Sequence, residues 1–162
     1  MGIEIRLAND SDRVYLQKWL AEKGILRWFP MEGEREVEDS INCWMSYVKQ
    51  DAVFLATFDG VPCGIANLYL SSVEKLKHQS LFAIIVDQEY RGKGIGTAML
   101  KDLMRRAKDE FKIEILHLEV YEGNPAKRLY ERLGFVEYGF HPKFLKEQDG
   151  TYLGKHYMQK SL

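Results

Sequence analysis

Apolar and polar positions alternate over Ile3-Glu4-Ile5-Arg6-Leu7, the period of a strand with one buried face. Asn9-Asp10-Ser11-Asp12 then offers capping side chains to a helix that runs to about Lys23, where Gly24 stops it. An apolar loop follows, Ile25-Leu26-Arg27-Trp28-Phe29-Pro30. Val37, Ile41, Trp44, Met45 and Val48 recur at the helical period and predict a second helix over 34–50. Residues 52–58 are β-branched and aromatic, Asp59-Gly60 signals a hairpin, and 63–70 reads as the paired strand. The run 81–86 is apolar throughout, as a central strand buried on both faces should be. A third helix opens near Ile95, with Met99, Leu100, Leu103 and Ala107 on one side. Residues 115–120 predict another strand. Asn124-Pro125 opens a fourth helix, with a capping side chain and a proline at the first helical position. Its stripe is Ala126, Leu129, Tyr130 and Leu133, and Gly134 closes it. Two last strands lie over 135–140 and 152–158, with Asp149-Gly150 turning into the second. The order β-α-α-β-β-β-α-β-α-β-β predicts an α/β fold, a mixed sheet with helices on both faces.

The chain has 162 residues with no repeat, low-complexity tract or linker, so 1–162 reads as one domain. With 46% apolar and 29% charged residues, a disordered or fibrous chain is excluded. A net charge of −1 supplies no field for a polyanion, which argues against nucleic acid as a partner. Cys43 and Cys63 form neither a CxxC pair nor a metal-ligand spacing, so no metal and no disulfide framework are expected. A reducing, cytoplasmic compartment fits. The N-terminus lacks the apolar run of a signal peptide, and no stretch of 18 apolar residues predicts a membrane span.

The stretch that carries chemistry is Ile84-Ile85-Val86-Asp87-Gln88-Glu89-Tyr90-Arg91-Gly92-Lys93-Gly94-Ile95-Gly96-Thr97. A strand enters a glycine-rich turn and the turn enters a helix. Glycines at alternate positions let backbone N–H groups approach a ligand, and a helix N-terminus favours an anion. Arg91 and Lys93 add positive charge. The physics supports either a phosphate site or a plain tight turn. No Gly-Lys-Ser/Thr follows, so it is not a Walker loop. It follows the fourth strand rather than the first, so it is not a dinucleotide-binding fingerprint.

Arg91-x-x-Gly94-x-Gly96 resembles the acyl-CoA signature of the GNAT superfamily of N-acetyltransferases. A second motif, Leu118-Glu119-Val120, Asn124-Pro125-Ala126, Leu129-Tyr130 and Gly134-Phe135, resembles the strand and helix that follow in that family. The order of elements matches from residue 3 onward. The resemblance implies about seven strands, with a bulge in the fourth and a splay between the fourth and fifth that admits pantetheine. It implies acetyl-CoA as acyl donor, with its pyrophosphate held by Arg91, Gly92, Lys93, Gly94, Ile95 and Gly96 and capped by Thr97. Backbone groups of Ile84 and Val86 would pair with pantetheine, and an amide near Val86 would polarise the thioester carbonyl.

Asn124 matches an asparagine that contacts pantetheine, and it equally suits a helix cap. Many relatives place seven residues between asparagine and tyrosine; here the step from Asn124 to Tyr130 is six. Tyr130 matches the tyrosine that protonates the departing thiolate; without the family it reads as a core tyrosine. Glu119 resembles a glutamate that takes the amine proton through water, and His117 shares its side of the strand; both also read as surface residues. The acceptor side would be built from Trp28, Phe29, Pro30, Glu32, Tyr69, Tyr152 and Tyr157. The acidic run Glu32, Glu34, Glu36, Glu38 and Asp39 suits a cationic acceptor or, alternatively, a helix N-terminus. The implied function is direct acetyl transfer to a primary amine by a monomer or homodimer. A protein N-terminus or lysine as acceptor, another acyl donor, and a non-catalytic acyl-CoA sensor are the alternatives.

Overall fold

A computed structural model describes residues 2–162. The chain forms strand β1 (Ile3–Leu7) and helices α1 (Arg13–Leu20) and α2 (Gly33–Met45). Strands β2 (Val53–Phe58), β3 (Val61–Tyr69) and β4 (Gln79–Val86) follow, then helix α3 (Ile95–Asp109) and strand β5 (Ile115–Tyr121). Helix α4 (Ala126–Arg132) and strands β6 (Val136–Lys146) and β7 (Tyr152–Ser161) complete it. The seven strands form one sheet in the order β1-β2-β3-β4-β5-β7-β6. Only β4 and β5 pair in parallel.

Strand alternation sends side chains to two cores. Phe54, Leu68, Phe82, Leu116, Leu118 and Met158 pack with Leu100 and Leu103 of α3. Val53, Leu55, Ile65 and Ile85 pack on the other face with Leu16 and Trp19 of α1 and Ile41 and Trp44 of α2. The β2–β3 turn is the hairpin the sequence predicts, with Asp59 at φ 48° and Gly60 at φ 84°, both left-handed.

Several boundaries differ from the sequence expectation. Helix α1 stops at Leu20, and Gly24 caps a following 3₁₀ turn, Ile25–Trp28, instead of closing the helix. The last turn of the predicted second helix is 3₁₀, Ser46–Gln50. Helix α4 begins at Ala126, one residue after the proline. Strands β6 and β7 extend well past the predicted limits. The polar run after Pro142 belongs to an edge strand with nearly every residue exposed, so no apolar alternation marks it.

The fourth strand carries no bulge. It pairs with β3 in unbroken register from Tyr69↔Leu81 to Gly64↔Val86. The splay comes from β5, which pairs with β4 only at Gln79↔Ile115, Ser80↔Leu116 and Leu81↔His117. Ala83, Ile84 and Val86 therefore stay partly exposed, although a central strand should be covered on both sides.

Candidate active site

The glycine turn folds as its residue types require. Gly92 (φ 79°) and Gly94 (φ 80°) are left-handed, a conformation that side-chain-bearing residues rarely adopt. Gly94 is the N-cap of α3, so no side chain caps that helix, and Thr97 makes no capping bond. The first bond of the helix runs from the Ala98 N–H to the Gly94 carbonyl, 3.1 Å. The amides of Ile95, Gly96 and Thr97 find no acceptor among the described residues. Free N–H groups at a helix N-terminus favour an anion. Gly96 has a second job: a Cβ there would lie 3.3 Å from Leu129 Cδ2, so its bareness lets α4 pack against α3.

Beside the turn, β4 presents a free edge. The Asp87 N–H donates to the Cys63 carbonyl at 2.8 Å, which sets the phase of the antiparallel ladder. In that phase Ala83 and Ile85 exchange bonds with β3, while Ile84 and Val86 aim their N–H and C=O groups at the β5 side. There the pairing has already ended. Arg91 Nε donates to the Val86 carbonyl at 3.3 Å, and the Val86 amide remains free among the described residues.

A cleft of about 780 Å³ follows this split through the sheet. On the α3–α4 side it is lined by Gly92, Gly94, Ile95, Gly96, Thr97, Asn124 and Tyr130, with Ile84, Val86 and Arg91 at the split. On the α1–α2 side it is lined by Trp28, Phe29, Pro30, Tyr69 and Glu119. Residues predicted from distant parts of the chain thus share one cavity that opens onto both faces.

Tyr130 is half-buried, its ring edge-on to Phe82 (6.3 Å between centroids) and Phe135 (6.1 Å). Burial pushes its hydroxyl up to about 12, so the phenol keeps its proton at neutral pH. Asn124 Oδ1 accepts the Ala126 N–H at 3.0 Å in the turn that leads into α4, where Pro125 rather than Asn124 is the N-cap. Glu119 forms an ion pair with Lys155, which the register sets on the same face. His117 lies outside the cleft lining, and burial lowers its pKa and favours the neutral ring. Burial also pushes Tyr69 up to about 12.

Lys93 and Glu32 stand apart from the cleft. Lys93 Nζ sits 5.6 Å from the Phe58 ring centroid. The Glu32 N–H donates to Glu36 Oε1 at 3.0 Å, Glu34 and Glu36 occupy the first turn of α2, and Glu38 pairs with Arg13. No member of the acidic run lines the cleft. Tyr152 lies under Lys143 and Lys146 at the far hairpin. Cys43 is exposed on α2, and Cys63 is buried, with its thiol pushed up to about 11; neither lines the cleft.

Residues that sequence reasoning missed also line it: Met31, Trp44, Tyr121, Arg132 and Lys155. Trp44 sits on the helical stripe read as core, and nothing in that stripe separates a cleft wall from packing. Lys155 becomes visible only through the β5–β7 register, Tyr121↔Lys155. Among the described residues no three His, Cys, Asp or Glu side chains group as metal ligands, and no helix is long and apolar enough to cross a membrane.

Comparison with known proteins agrees with this architecture. The profile described as "Acetyltransferase (GNAT) family" matches residues 15–135. An N-alpha-acetyltransferase of Sulfurisphaera tokodaii is 34% identical over 113 residues, 63% of this chain and 66% of that one. An uncharacterized N-acetyltransferase of Methanocaldococcus jannaschii is 33% identical over 98 residues, 58% of this chain and 43% of that one. The chain thus spans less than two thirds of the length of either relative. A Salmonella typhimurium protein solved with its cofactor acetyl-CoA superposes with a TM-score of 0.78 at 20% identity, covering 100% of this chain and 95% of that one. The profile match takes in the glycine turn, the split strands and the Tyr130 helix together, and the chain belongs to the GNAT family of acetyltransferases.

Proposed function

We propose that this chain moves an acetyl group from acetyl-CoA to a primary amine, directly, within a ternary complex. The observation that carries the reading is the split between β4 and β5. It joins an anion site and a free strand edge on one side to a carboxylate and an aromatic pocket on the other, in one cavity. GNAT acetyltransferases use acetyl-CoA, which supplies an acetyl group activated as a thioester.

The free amides of Ile95, Gly96 and Thr97, with Arg91, suit the pyrophosphate. The outward backbone groups of Ile84 and Val86 suit the amides of pantetheine, and the Val86 N–H suits the thioester carbonyl, where it would stabilise developing negative charge. Glu119 takes a proton from the acceptor ammonium through water. Tyr130 gives its proton to the sulfur as the C–S bond breaks and the C–N bond forms, and the second proton lost by the nitrogen restores the Tyr130 phenol. With neither cysteine in the cleft, nothing supports an acyl-enzyme route.

The test is release of free thiol from acetyl-CoA in the presence of amino acids, peptides with free N-termini and polyamines. Amine-dependent thiol release with an acetylated product supports the reading. CoA binding without release from any amine would leave an acyl-CoA sensor. A second acceptor, the α-amine of a peptide, is favoured by the Sulfurisphaera relative's name, and the peptide arm examines it.

A further inference from the structure

The ion pair on the acceptor side, a buried Lys155 with an exposed Glu119, says more about the acceptor than the acidic run does. Lys155 is only 8% exposed. Its ammonium pairs with Glu119 and lies 3.7 Å from the Phe144 ring centroid, with Tyr157 at 5.6 Å. Burying an ion pair gains little stability, and apolar residues of similar size fill such a position at no greater cost. A lysine here, on the wall of a large cleft, calls for a ligand-based reason.

Resting on the acetyl-transfer reading, we propose that the acceptor is a zwitterion of the α-amino acid class with an apolar side chain. Its ammonium meets Glu119 and its carboxylate meets Lys155. The charge census favours this. The charged residues that line the cleft are Arg91, Arg132 and Lys155 against Glu119 alone, an excess of cations that suits an acceptor bringing a carboxylate of its own. A lone amine that took Glu119 would strand a buried Lys155 without its partner, which is costly. A polyamine would add positive charge where one carboxylate is already neutralised. A zwitterion inserts its own pair against the resident pair, so every charge keeps an opposite neighbour.

The walls agree. Trp28, Phe29, Met31 and Trp44 offer an apolar surface for a side chain. The Trp44 indole N–H is buried with no hydrogen-bond partner among the described residues.

The experiment measures thiol release from acetyl-CoA with L-phenylalanine, L-leucine and L-methionine, with their primary amides, and with spermidine. In the wild type, kcat/KM for the acids should exceed that for the amides by about tenfold or more, the scale on which a site built for a polar group rejects an analogue lacking it. Lys155→Met, which keeps an apolar stem in the aromatic cage, should collapse that ratio. Lys155→Arg should retain it. Comparing that ratio between the variants cancels the different basicities of acids and amides, and a CoA-induced rise in melting temperature verifies folding. If amides or spermidine react as well as the acids, or if Lys155→Met leaves the ratio intact, the proposal is overturned while acetyl transfer stands. If none of these acceptors releases thiol although CoA still raises the melting temperature, the proposal is overturned, and acetyl transfer falls with it if peptides with free N-termini release none either.

Discussion

Tyr130 combines two demands in one side chain. Its ring closes the core beside Phe82 and Phe135, the residue lines the cleft, and burial pushes its hydroxyl pKa up to about 12. Tyr130→Phe keeps the ring and removes the proton. We expect kcat to fall by about 10²-fold or more, the usual scale for a general acid, with the melting temperature and CoA affinity hardly changed. Equal turnover in the two proteins would make Tyr130 a packing residue. Asp12 does structural work of a different kind. Burial alone would raise its carboxyl pKa, but the two bonds from Arg6 (2.8 and 3.0 Å) and one from the Asn9 N–H (2.9 Å) outweigh burial and lower it. A depressed folded value means that the stabilisation is complete above the unfolded pKa of about 3.9 and is lost as pH falls through the folded value below it. Unfolding measured from pH 7 to pH 2 should show a steeper acid limb in the wild type than in Asp12→Asn; matching limbs would remove this role.

The turn that enters α3 is where residue type and backbone geometry coincide. Gly94 sits at φ 80°, so any side chain strains the backbone, and a carboxylate adds charge beside three free amides. Gly94→Glu should abolish the CoA-induced rise in melting temperature; an undiminished rise would place the anion site elsewhere. This element was legible in sequence because left-handed turns demand glycine and helix starts demand caps, both local rules. Leu81–Val86 was legible as a strand, but its free edge was not foreseeable from residue types, since it depends on where β5 diverges. Lys155 was illegible for the same reason: its partner, Glu119, lies on another strand, and only long-range register joins them. The acidic residues of α2 invited a substrate role by their position after an aromatic loop. In the fold they complement the helix N-terminus and pair with Arg13.

Across the molecule, two half-sheets, β1–β4 and β5–β7–β6, are joined by three residue pairs, with α3 and α4 on one face and α1 and α2 on the other. A ligand held between the halves stabilises the whole fold by mass action. CoA at a hundred times its Kd should contribute about 2.7 kcal/mol, or roughly 5–10 °C in melting temperature for a domain of this size. A scanning-calorimetry titration checks this, and an unmoved transition at saturating CoA would contradict it.

The same split should be audible in hydrogen exchange as a rhythm. Along the last four residues of β4, the amides of Ala83 and Ile85 are already locked into β3, while those of Ile84 and Val86 face the split. In the free protein, residue-resolved exchange should therefore read slow, fast, slow, fast from Ala83 to Val86. When CoA enters, the fast beats should fall silent and the slow ones stay as they were, so that the bound molecule registers in solvent exchange as though the sheet had gained an eighth strand, one without a peptide bond to the rest.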